Sequence, residues 1–486
     1  MENLFRRQFV MGNIGPEKLP KTFIEEKICE NYYIYHHKDL NFIRLDRPGR
    51  SLILLGFLID PYDYKASDEE ILENIIDNIC DFENLYKKTL SLGGRWVLIY
   101  KDQEDFNILT DPSGLRQVCY NSEDKIIGSN PAIINYIKTQ EKRSDKDYHT
   151  YINSKFYRIN EMEWYGDNTH YKNIKKLLPN SYLDLKIFKT SYFWADIDKK
   201  SYEENTKIVS ELLKNQLKAI DKREGVKIQS LTAGYDSRVI FAASEAAGCD
   251  FDFFLSTMNI IGEDHADIQI AKKILADYGK NFNLIDNLES LDGDFIKFLQ
   301  KSVAGTQILP KTLTIQHFYK KDEDFIHVSG NNSAVCKAYY KNSSSENGKD
   351  VAKVVGIPKN LTIFNDEFDK WVKERKDFAK DKDIDLMKLF YWEMRMPNWG
   401  VQYQQEADIA MEEFAPFNNR EIILRLLEMT KIKPYTEVFD DIIAYIDPKL
   451  LSYPINPRSK KEKLMDSVKK RVSKRTWERI KLIAKN

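Results

Sequence analysis

The sequence predicts two domains of different fold class, an α+β domain with an antiparallel sheet followed by an α/β domain with a parallel sheet. A chain of 486 residues with 42% hydrophobic content is long enough to bury two separate cores. In residues 1–197, β-rich runs alternate with turn residues. From about residue 200, apolar runs alternate instead with amphipathic helical patterns, and beyond about residue 290 the chain is mostly helical. We therefore place the domains at residues 1–197 and 198–457.

Short runs of β-branched and aromatic residues indicate paired antiparallel strands in residues 1–197. They include YYIYHH, LNFIRL, SLILLGFLI, RWVLIY and FNILT, with turns at DRPG and DPSG. One helix is expected over residues 67–90, because Ser67 and Glu70 form a capping box. Its apolar face holds Ile71, Ile75, Ile79 and Phe82.

Helices alternate with strands in residues 198–457. The helix SYEENTKIVSELLKNQLKAI precedes the strand VKIQSL, the helix RVIFAASEAAG, the strand FDFFLST, the helix HADIQIAKKILADYG and the strand NFNLID. This alternation predicts βαβ units, with helices on both faces of a parallel sheet. FIHVSG adds a further short strand.

The turn SLTAGYDSR, residues 230–238, ends the strand VKIQSL in a way that suits a phosphate. A strand that stops at Leu231 and a helix that begins near Ser237 direct backbone N–H groups and a positive helix end toward the ligand crevice of the sheet. Two hydroxyls, a glycine and a hard oxygen ligand for Mg²⁺ lie there, at Thr232, Ser237, Gly234 and Asp236. The alternative is an ordinary turn in which Asp236 caps the helix.

Several segments resemble the asparagine synthetase family. LTAGYDSR is similar to the loop Ser-Gly-Gly-x-Asp-Ser of the N-type ATP pyrophosphatases. STMNIIGEDHADIQIAKKIL, VSGNNSAVCKAYY and MEEFAPFNNREIILRLLEM resemble later segments of the same synthetase domain. GGRWVLIYKDQEDFNILTDPSGLRQVCY, IIGSNPAII and NIKKLLPNSYLDL look like parts of a class II glutamine amidotransferase domain. The segments follow the family's order and span nearly the whole chain.

This resemblance implies an amidotransferase-like first domain and an adenine nucleotide α-hydrolase-like second domain. It implies a ligase that uses ATP and Mg²⁺ to adenylate a carboxylate, releases pyrophosphate and AMP, and forms an amide with an amine or ammonia. It assigns the nucleotide contacts to Leu231, Thr232, Ala233, Gly234, Asp236, Ser237, Ser256, Thr257, Met258, Ser329 and Gly330. Asp236 is the metal ligand that it implies.

The first domain departs from the family at the glutaminase nucleophile, which is a cysteine at the processed N-terminus. This chain begins Met1-Glu2, and its first cysteine is Cys29. The family's Asn-Gly-Glu stretch is replaced by LILLGFLIDP. We therefore expect no glutaminase activity, as in β-lactam synthetase and lasso-peptide cyclases.

The second phosphate segment also departs from the family. Asn331 and Ala334 stand where relatives carry acidic residues, and Lys433 lies nearest to the position of the lysine that stabilises the transition state. Asn331 and Lys433 are therefore the only catalytic candidates. These departures leave open a catalytically degenerate protein that binds nucleotide or a partner. Adenylation of an oxygen or nucleic-acid substrate is a further alternative.

Other conspicuous residues have two interpretations each. In YWEMRMPNWG, Glu393 and Arg395 lie beside Trp392 and Trp399, either lining an acceptor pocket or forming a paired core helix end. His265 either approaches phosphates or is a surface or capping residue.

Composition limits the partners. The formal net charge of −1 does not favour nucleic acid, and isolated histidines and five scattered cysteines do not indicate zinc or disulfides. No segment is long enough for a signal peptide or membrane span, so a cytoplasmic location is expected. The substrates expected are a small-molecule, saccharide or peptide carboxylate and an amine donor, and a homodimer is an open alternative.

The tail, residues 458–486, has twelve Lys or Arg against three acids. It would contact an acidic partner or a membrane surface, or pack on its own domain.

Overall fold

The computed structural model describes residues 3–340 and 345–457 of the chain, so the predicted basic tail lies outside the described residues. The described strands form two antiparallel sheets of six strands each and one parallel sheet of five strands. Both antiparallel sheets belong to residues 3–197, and the parallel sheet belongs to residues 198–457. The predicted change from antiparallel to parallel strands is therefore confirmed.

Residues 3–197 contain twelve of the described strands. The strands are β1 Phe9–Gly12, β2 Phe23–Cys29, β3 Tyr32–His37, β4 Phe42–Arg47, β5 Arg50–Ile59, β6 Gly93–Lys101, β7 Phe106–Thr110, β8 Cys119–Asn121, β9 Ile126–Gly128, β10 Lys175–Lys176, β11 Ser181–Asp184 and β12 Lys189–Tyr192. The helices are α1 Asp68–Asp77, α2 Phe82–Lys88, α3 Pro131–Ile137, α4 Lys146–Ile152 and α5 Lys155–Ile159, with a short 3₁₀ turn at Pro16–Lys18.

The two antiparallel sheets pack face to face and carry helices on their outer faces. The strand orders are β10-β8-β9-β1-β3-β2 and β12-β11-β7-β6-β5-β4. Apolar side chains such as Phe9 and Ile34 of the first sheet meet Leu55 and Val97 of the second in the layer between them. Helices α1 and α2 cover the outside of the second sheet, and α3 covers the outside of the first.

The single helix predicted over residues 67–90 is wrong in one respect, because the chain forms α1 and α2 there instead. The capping box at Ser67 and Glu70 is present as predicted. The helix ends at Asp77, and the Asp81 carboxylate caps α2 by accepting from the backbone N–H of Asn84. Short Asn and Asp side chains compete for backbone N–H groups in this way and interrupt helices. The predicted apolar face nevertheless enters one core cluster.

Residues 198–457 contain the parallel sheet and most of the described helices. The strands are β13 Val226–Ser230, β14 Asp252–Ser256, β15 Asn283–Ile285, β16 Phe325–Val328 and β17 Met411–Phe414. The helices are α6 Tyr202–Asp221, α7 Tyr235–Ala247, α8 Ala266–Asp277, α9 Gly293–Ser302, α10 Lys311–Tyr319, α11 Gly348–Val355, α12 Asn365–Asp381, α13 Leu386–Phe390, α14 Val401–Ala407, α15 Arg420–Ile432 and α16 Tyr435–Ile446. A π-helical segment, Tyr391–Gly400, joins α13 to α14, and 3₁₀ turns cover Ser333–Cys336 and Pro448–Ser452.

The parallel sheet has the order β15-β14-β13-β16-β17. The chain moves outward from β13 to β14 and β15, and then returns to place β16 on the other side of β13. Because the order reverses between β13 and β16, a crevice opens at their carboxyl ends, where ligands of such sheets bind. One face of the sheet packs on α6, α7, α8, α15 and α16, and the other packs on α9, α10 and α14.

Strand β17 was not predicted, because its sequence MEEF contains two carboxylates. Both are paired in the fold. Glu412 accepts a hydrogen bond from Arg116, and Glu413 lies 2.6 Å from the His327 ring nitrogen on β16. Tertiary ion pairs therefore override the low strand propensity of glutamate here.

The sheets separate near residue 197, but the cores do not. Tyr151 and Trp164 of the first part pack in one cluster with Phe364 and Trp392 of the second. Buried Arg95 makes a bidentate pair with Asp408, with N–O distances of 2.5 and 2.8 Å. Because these cores are shared, the boundary at residues 197 and 198 stays a prediction. None of the described helices is long and apolar enough to cross a membrane.

Candidate functional site

The stretch SLTAGYDSR lies where the sequence places it, at the carboxyl end of β13 beside the crevice. Helix α7 begins at Tyr235, two residues before the predicted start, so Asp236 and Ser237 lie in its first turn. The N-cap residue is Gly234, and no side chain caps the helix. The alternative in which Asp236 is the cap is therefore wrong. An uncapped helix start leaves first-turn N–H groups for a ligand, together with the positive end of the helix dipole.

The two hydroxyls of the loop hold its shape. The backbone N–H of Thr232 donates to Ser237 Oγ at 3.1 Å, and the two hydroxyl oxygens are 2.9 Å apart. The N–H of Gly234 donates to Thr232 Oγ1 at 3.2 Å. Thr232 and Ser237 therefore fix the turn that presents the helix end.

An unpredicted carboxylate binds the loop from α8. Asp267 Oδ1 accepts the backbone N–H of Ala233 at 2.8 Å. The Asp267 N–H in turn donates to His265 Nδ1, which caps α8. His265 is therefore the capping residue that one of its two interpretations predicts. The N–H of Ala233, which the resemblance assigns to phosphate, has a protein partner here.

Arg238 ties the loop to the segment that follows α16. Its guanidinium is fully buried and donates to the carbonyls of Tyr453 and Pro454, both at 2.8 Å. Burial lowers the pKa of Arg238 to about 10. The same segment reaches the loop directly, since the N–H of Asn456 donates to the Ala233 carbonyl at 3.0 Å. Arg238 lies within the motif but was not predicted to act.

Asp236 is held by two side chains that sequence reasoning missed. Lys337 Nζ lies 2.5 Å from Asp236 Oδ2, and the Tyr435 hydroxyl donates to Oδ1. Burial first, and then the Asp236 charge, raise the pKa of Tyr435 far above its usual value, so the phenol stays protonated. Gly330 packs against the backbone of Asp236 from the neighbouring strand. Nothing local in the sequence marks Tyr435, whereas Lys337 follows the second phosphate segment by a few residues.

The other predicted contact residues gather at the ends of the neighbouring strands. The Ser256 hydroxyl accepts from the Met258 N–H at 3.2 Å and from the Thr314 hydroxyl at 2.6 Å. Thr257 is buried, and its N–H donates to the carbonyl of Ile285. Leu231 is buried in the core, so its side chain faces away from a ligand.

Ser329 ends β16 on the opposite side of the crevice. Its side chain is buried, and its N–H donates to the Phe414 carbonyl at 3.0 Å. Its hydroxyl has no hydrogen-bond partner within residues 3–340 and 345–457. A buried polar group without a partner is costly. The hydroxyl is shielded from solvent, so a ligand oxygen would reach it only after a small shift of the strand end.

The two catalytic candidates differ in position. Asn331 lies in the turn after Gly330 and is partly exposed. Lys433 instead pairs with Asp441 at 2.7 Å and lies 4.5 Å from the centre of the Tyr202 ring, between α6 and α16. Ala334, where the resemblance predicts an acid, packs against the aromatic-rich core.

Glu393 and Arg395 do not pair with each other. Buried Glu393 accepts from Trp371 Nε1 at 2.9 Å and from Arg375 Nε at 3.0 Å. Arg395 donates to Glu163 of the first part of the chain. Glu393 also accepts from Asn180 and Tyr192 of the first part, so both side chains lie in the packing between the two parts.

The residues at the loop differ in their fit to Mg²⁺ and to a nucleotide phosphate. Asp236 offers Mg²⁺ a single carboxylate, and both of its oxygens already accept hydrogen bonds. Within the described part of the chain, no group of three or more His, Cys, Asp or Glu residues could hold a metal ion. Mg²⁺ at Asp236 would therefore have to displace Lys337 or Tyr435, whereas the open start of α7 fits a phosphate.

No protein-family model matches this chain, and no curated protein matches its sequence. Three solved structures show slight likeness. The allosteric regulatory enzyme of purine biosynthesis has 11% identity and a TM-score of 0.26, over 67% of this chain and 70% of its own. Glutamine phosphoribosylpyrophosphate amidotransferase from B. subtilis has 9% identity and a TM-score of 0.24, over 68% of this chain and 70% of its own. A U34-tRNA thiolase from Methanococcus maripaludis has 14% identity and a TM-score of 0.22, over 51% of this chain and 76% of its own. At these scores the likenesses carry no functional argument.

Proposed function

We propose that residues 198–457 bind the phosphates of ATP at residues 231–237 and use ATP to adenylate a carboxylate, which an amine or ammonia then converts to an amide. The observation that carries the proposal is the uncapped start of α7 at the reversal point of the parallel sheet. A thirteen-residue helix with free first-turn N–H groups favours an anion at this place.

The chain's own residues would bind and position the reactants. A carboxylate oxygen attacks the α-phosphorus of ATP, and the bond to pyrophosphate breaks. The start of α7 and the Ser329 hydroxyl would stabilise the charge that develops on the leaving pyrophosphate. The amine nitrogen then attacks the acyl carbon, loses a proton and displaces AMP. The expected contribution of these residues is positioning and electrostatics.

The first part of the chain supports an amine source other than glutamine. In the family that the sequence resembles, the nucleophile needs a free N-terminal cysteine at the first strand. Here β1 is preceded by buried residues anchored in the second part of the chain. Arg7 donates to the Asp408 carbonyl at 2.7 Å, and Gln8 donates to the Ser302 carbonyl at 2.8 Å. An amine on a second substrate, or free ammonia, would therefore be the nucleophile.

A second candidate, a nucleotide-binding protein without catalysis, is favoured by one specific observation. Ala334 packs in an apolar core, so the crevice lacks the carboxylate that relatives place there. Such a protein would bind ATP but release no pyrophosphate.

Exchange of labelled pyrophosphate into ATP, measured with a panel of uronic acids, peptides and small acids, separates the candidates. The proposal expects exchange with at least one carboxylate and its loss in Gly234→Val. A Cβ at Gly234 would meet side-chain oxygens at 3.3 and 3.5 Å, and the γ carbons of valine would extend further into the loop, so far-UV circular dichroism should verify that the variant folds. ATP binding without exchange for any carboxylate would favour the second candidate. Absence of ATP binding would contradict both.

A further inference from the structure

We propose that Lys337 supplies the positive charge at this phosphate site, and that the site needs no divalent cation at Asp236. This inference rests on the proposed function, because it names the counter-ion of the same site. It replaces the role of metal ligand that the sequence suggested for Asp236.

The contacts of Asp236 leave little room for a metal. One oxygen faces the Lys337 ammonium at 2.5 Å, and the other accepts from the Tyr435 hydroxyl. The Lys337 and Asp236 side chains remain 26% and 32% exposed, so the pair is not sealed in the core. A ligand phosphate can therefore approach Lys337 without displacing Asp236.

Packing from α16 and from the end of β16 fixes this pair. Lys337 lies over the Tyr435 ring, 4.6 Å from its centre, and the Tyr435 and Phe439 ring centres are 4.3 Å apart. Gly330 lies directly against the backbone of Asp236. The pair is thus built into the contact between α7, α16 and the end of β16.

Charge decides between the lysine and a metal. Mg²⁺ in nucleotide sites is held by one or two carboxylates together with the phosphates. Here Asn331 and Ala334 add no charge. The carboxylates beside the loop are already bound, Asp236 by Lys337 and Tyr435 and Asp267 by the Ala233 N–H. Mg²⁺ at Asp236 would bring a double positive charge close to the Lys337 ammonium, and this repulsion is strong near a protein surface. Without the metal, Lys337 neutralises Asp236 and leaves the positive end of α7 uncompensated.

ATP titrations in Mg²⁺ and in EDTA test the inference by comparing the two affinities. In the wild-type protein the affinities should agree within about twofold. In Lys337→Met the bare Asp236 carboxylate should weaken binding in EDTA by about tenfold or more, while Mg²⁺ restores it. Lys280→Met is the matched control, because Lys280 pairs with Glu245 at 3.0 Å near the carboxyl end of α7 and lies 5.9 Å from the centre of the Phe253 ring. It should leave both affinities unchanged.

Thermal unfolding without nucleotide provides a reading that does not depend on ATP binding. Millimolar Mg²⁺ should shift the Tm of the wild-type protein and of Asp236→Asn equally. A Tm increase in the wild type that Asp236→Asn abolishes would overturn the inference, because it would place a metal at Asp236. The inference would also be overturned if the wild-type protein bound ATP about tenfold more tightly in Mg²⁺ than in EDTA and Lys337→Met showed the same difference. If ATP binds in neither buffer, the proposed function fails, and the Tm comparison still decides between lysine and metal.

Discussion

Substituting Gly330 by alanine should disturb the contact between the end of β16 and the first turn of α7. A Cβ at this position would lie 2.7 Å from the carbonyl carbon of Asp236, 2.8 Å from its Cβ and 3.0 Å from its carbonyl oxygen. Two of these atoms are backbone atoms of a helix, so they cannot rotate away as the end of a flexible side chain would. One element must therefore move.

The size of the effect follows from these distances. Carbon atoms pack at about 3.5 Å or more, so the strand end and the helix must separate by roughly 0.8 Å. Overpacking of this kind costs about 1–3 kcal/mol of unfolding free energy. A comparable shift would lengthen the 2.5 Å contact between Asp236 and Lys337 and weaken ATP binding by about tenfold.

Urea unfolding and ATP titration of Gly330→Ala measure both effects. Gly293→Ala is the control, because a Cβ at Gly293 meets no atom within 4 Å. Gly293 lies in α9, so alanine there should be neutral or stabilise by up to about 1 kcal/mol. If Gly330→Ala unfolds within about 0.5 kcal/mol of the wild type and binds ATP equally well, the close contact does not constrain the site.

Three further predictions concern the rest of the chain. Arg95→Met should cost about 3 kcal/mol in urea unfolding, because it leaves the buried Asp408 carboxylate with only the more distant Arg116 guanidinium, 3.8 Å away, and a loss below about 1 kcal/mol would show that the pair is not structural. Burial lowers the pKa of His170 from a usual 6.5 to about 4. Between these pH values the unfolded chain binds a proton at His170 and the folded chain does not, so the free energy of unfolding falls as the pH drops from 6.5 to 4. This fall should be smaller in His170→Phe by up to about 3 kcal/mol, and equal pH profiles of the two proteins in urea would contradict the assignment. Incubation with glutamine should release no glutamate in a coupled dehydrogenase assay, and steady release would mean that the first part of the chain retains a glutaminase site.

Local sequence patterns were sufficient where neighbouring residues decide the structure. The strands that carry YYIYHH and RWVLIY, and the capped start of α1, follow from side-chain periodicity and short-range hydrogen bonds. The helix predicted over residues 67–90 failed at Asp81, whose side chain starts a second helix although the apolar periodicity continues. Strand β17 could not be predicted because its glutamates become acceptable only after Arg116 and His327 meet them.

The candidate site divides in the same way. The loop and its position follow from residues 230–238 alone, because a strand, a turn and a helix are adjacent in the sequence. Lys337 and Tyr435 lie 101 and 199 residues from Asp236, and no periodicity links such distant positions. The role of Asp236 as metal ligand was therefore inferred without the two side chains that bind its carboxylate.

The most direct test of the account is hydrogen–deuterium exchange of the full chain with and without ATP. ATP addition should slow exchange in the peptides that span residues 231–238 and 329–337, because phosphate would bind the first-turn N–H groups of α7 and the segment that follows β16. Saturation by ATP that protects other peptides and leaves these two unchanged would contradict the assignment of the nucleotide to this loop.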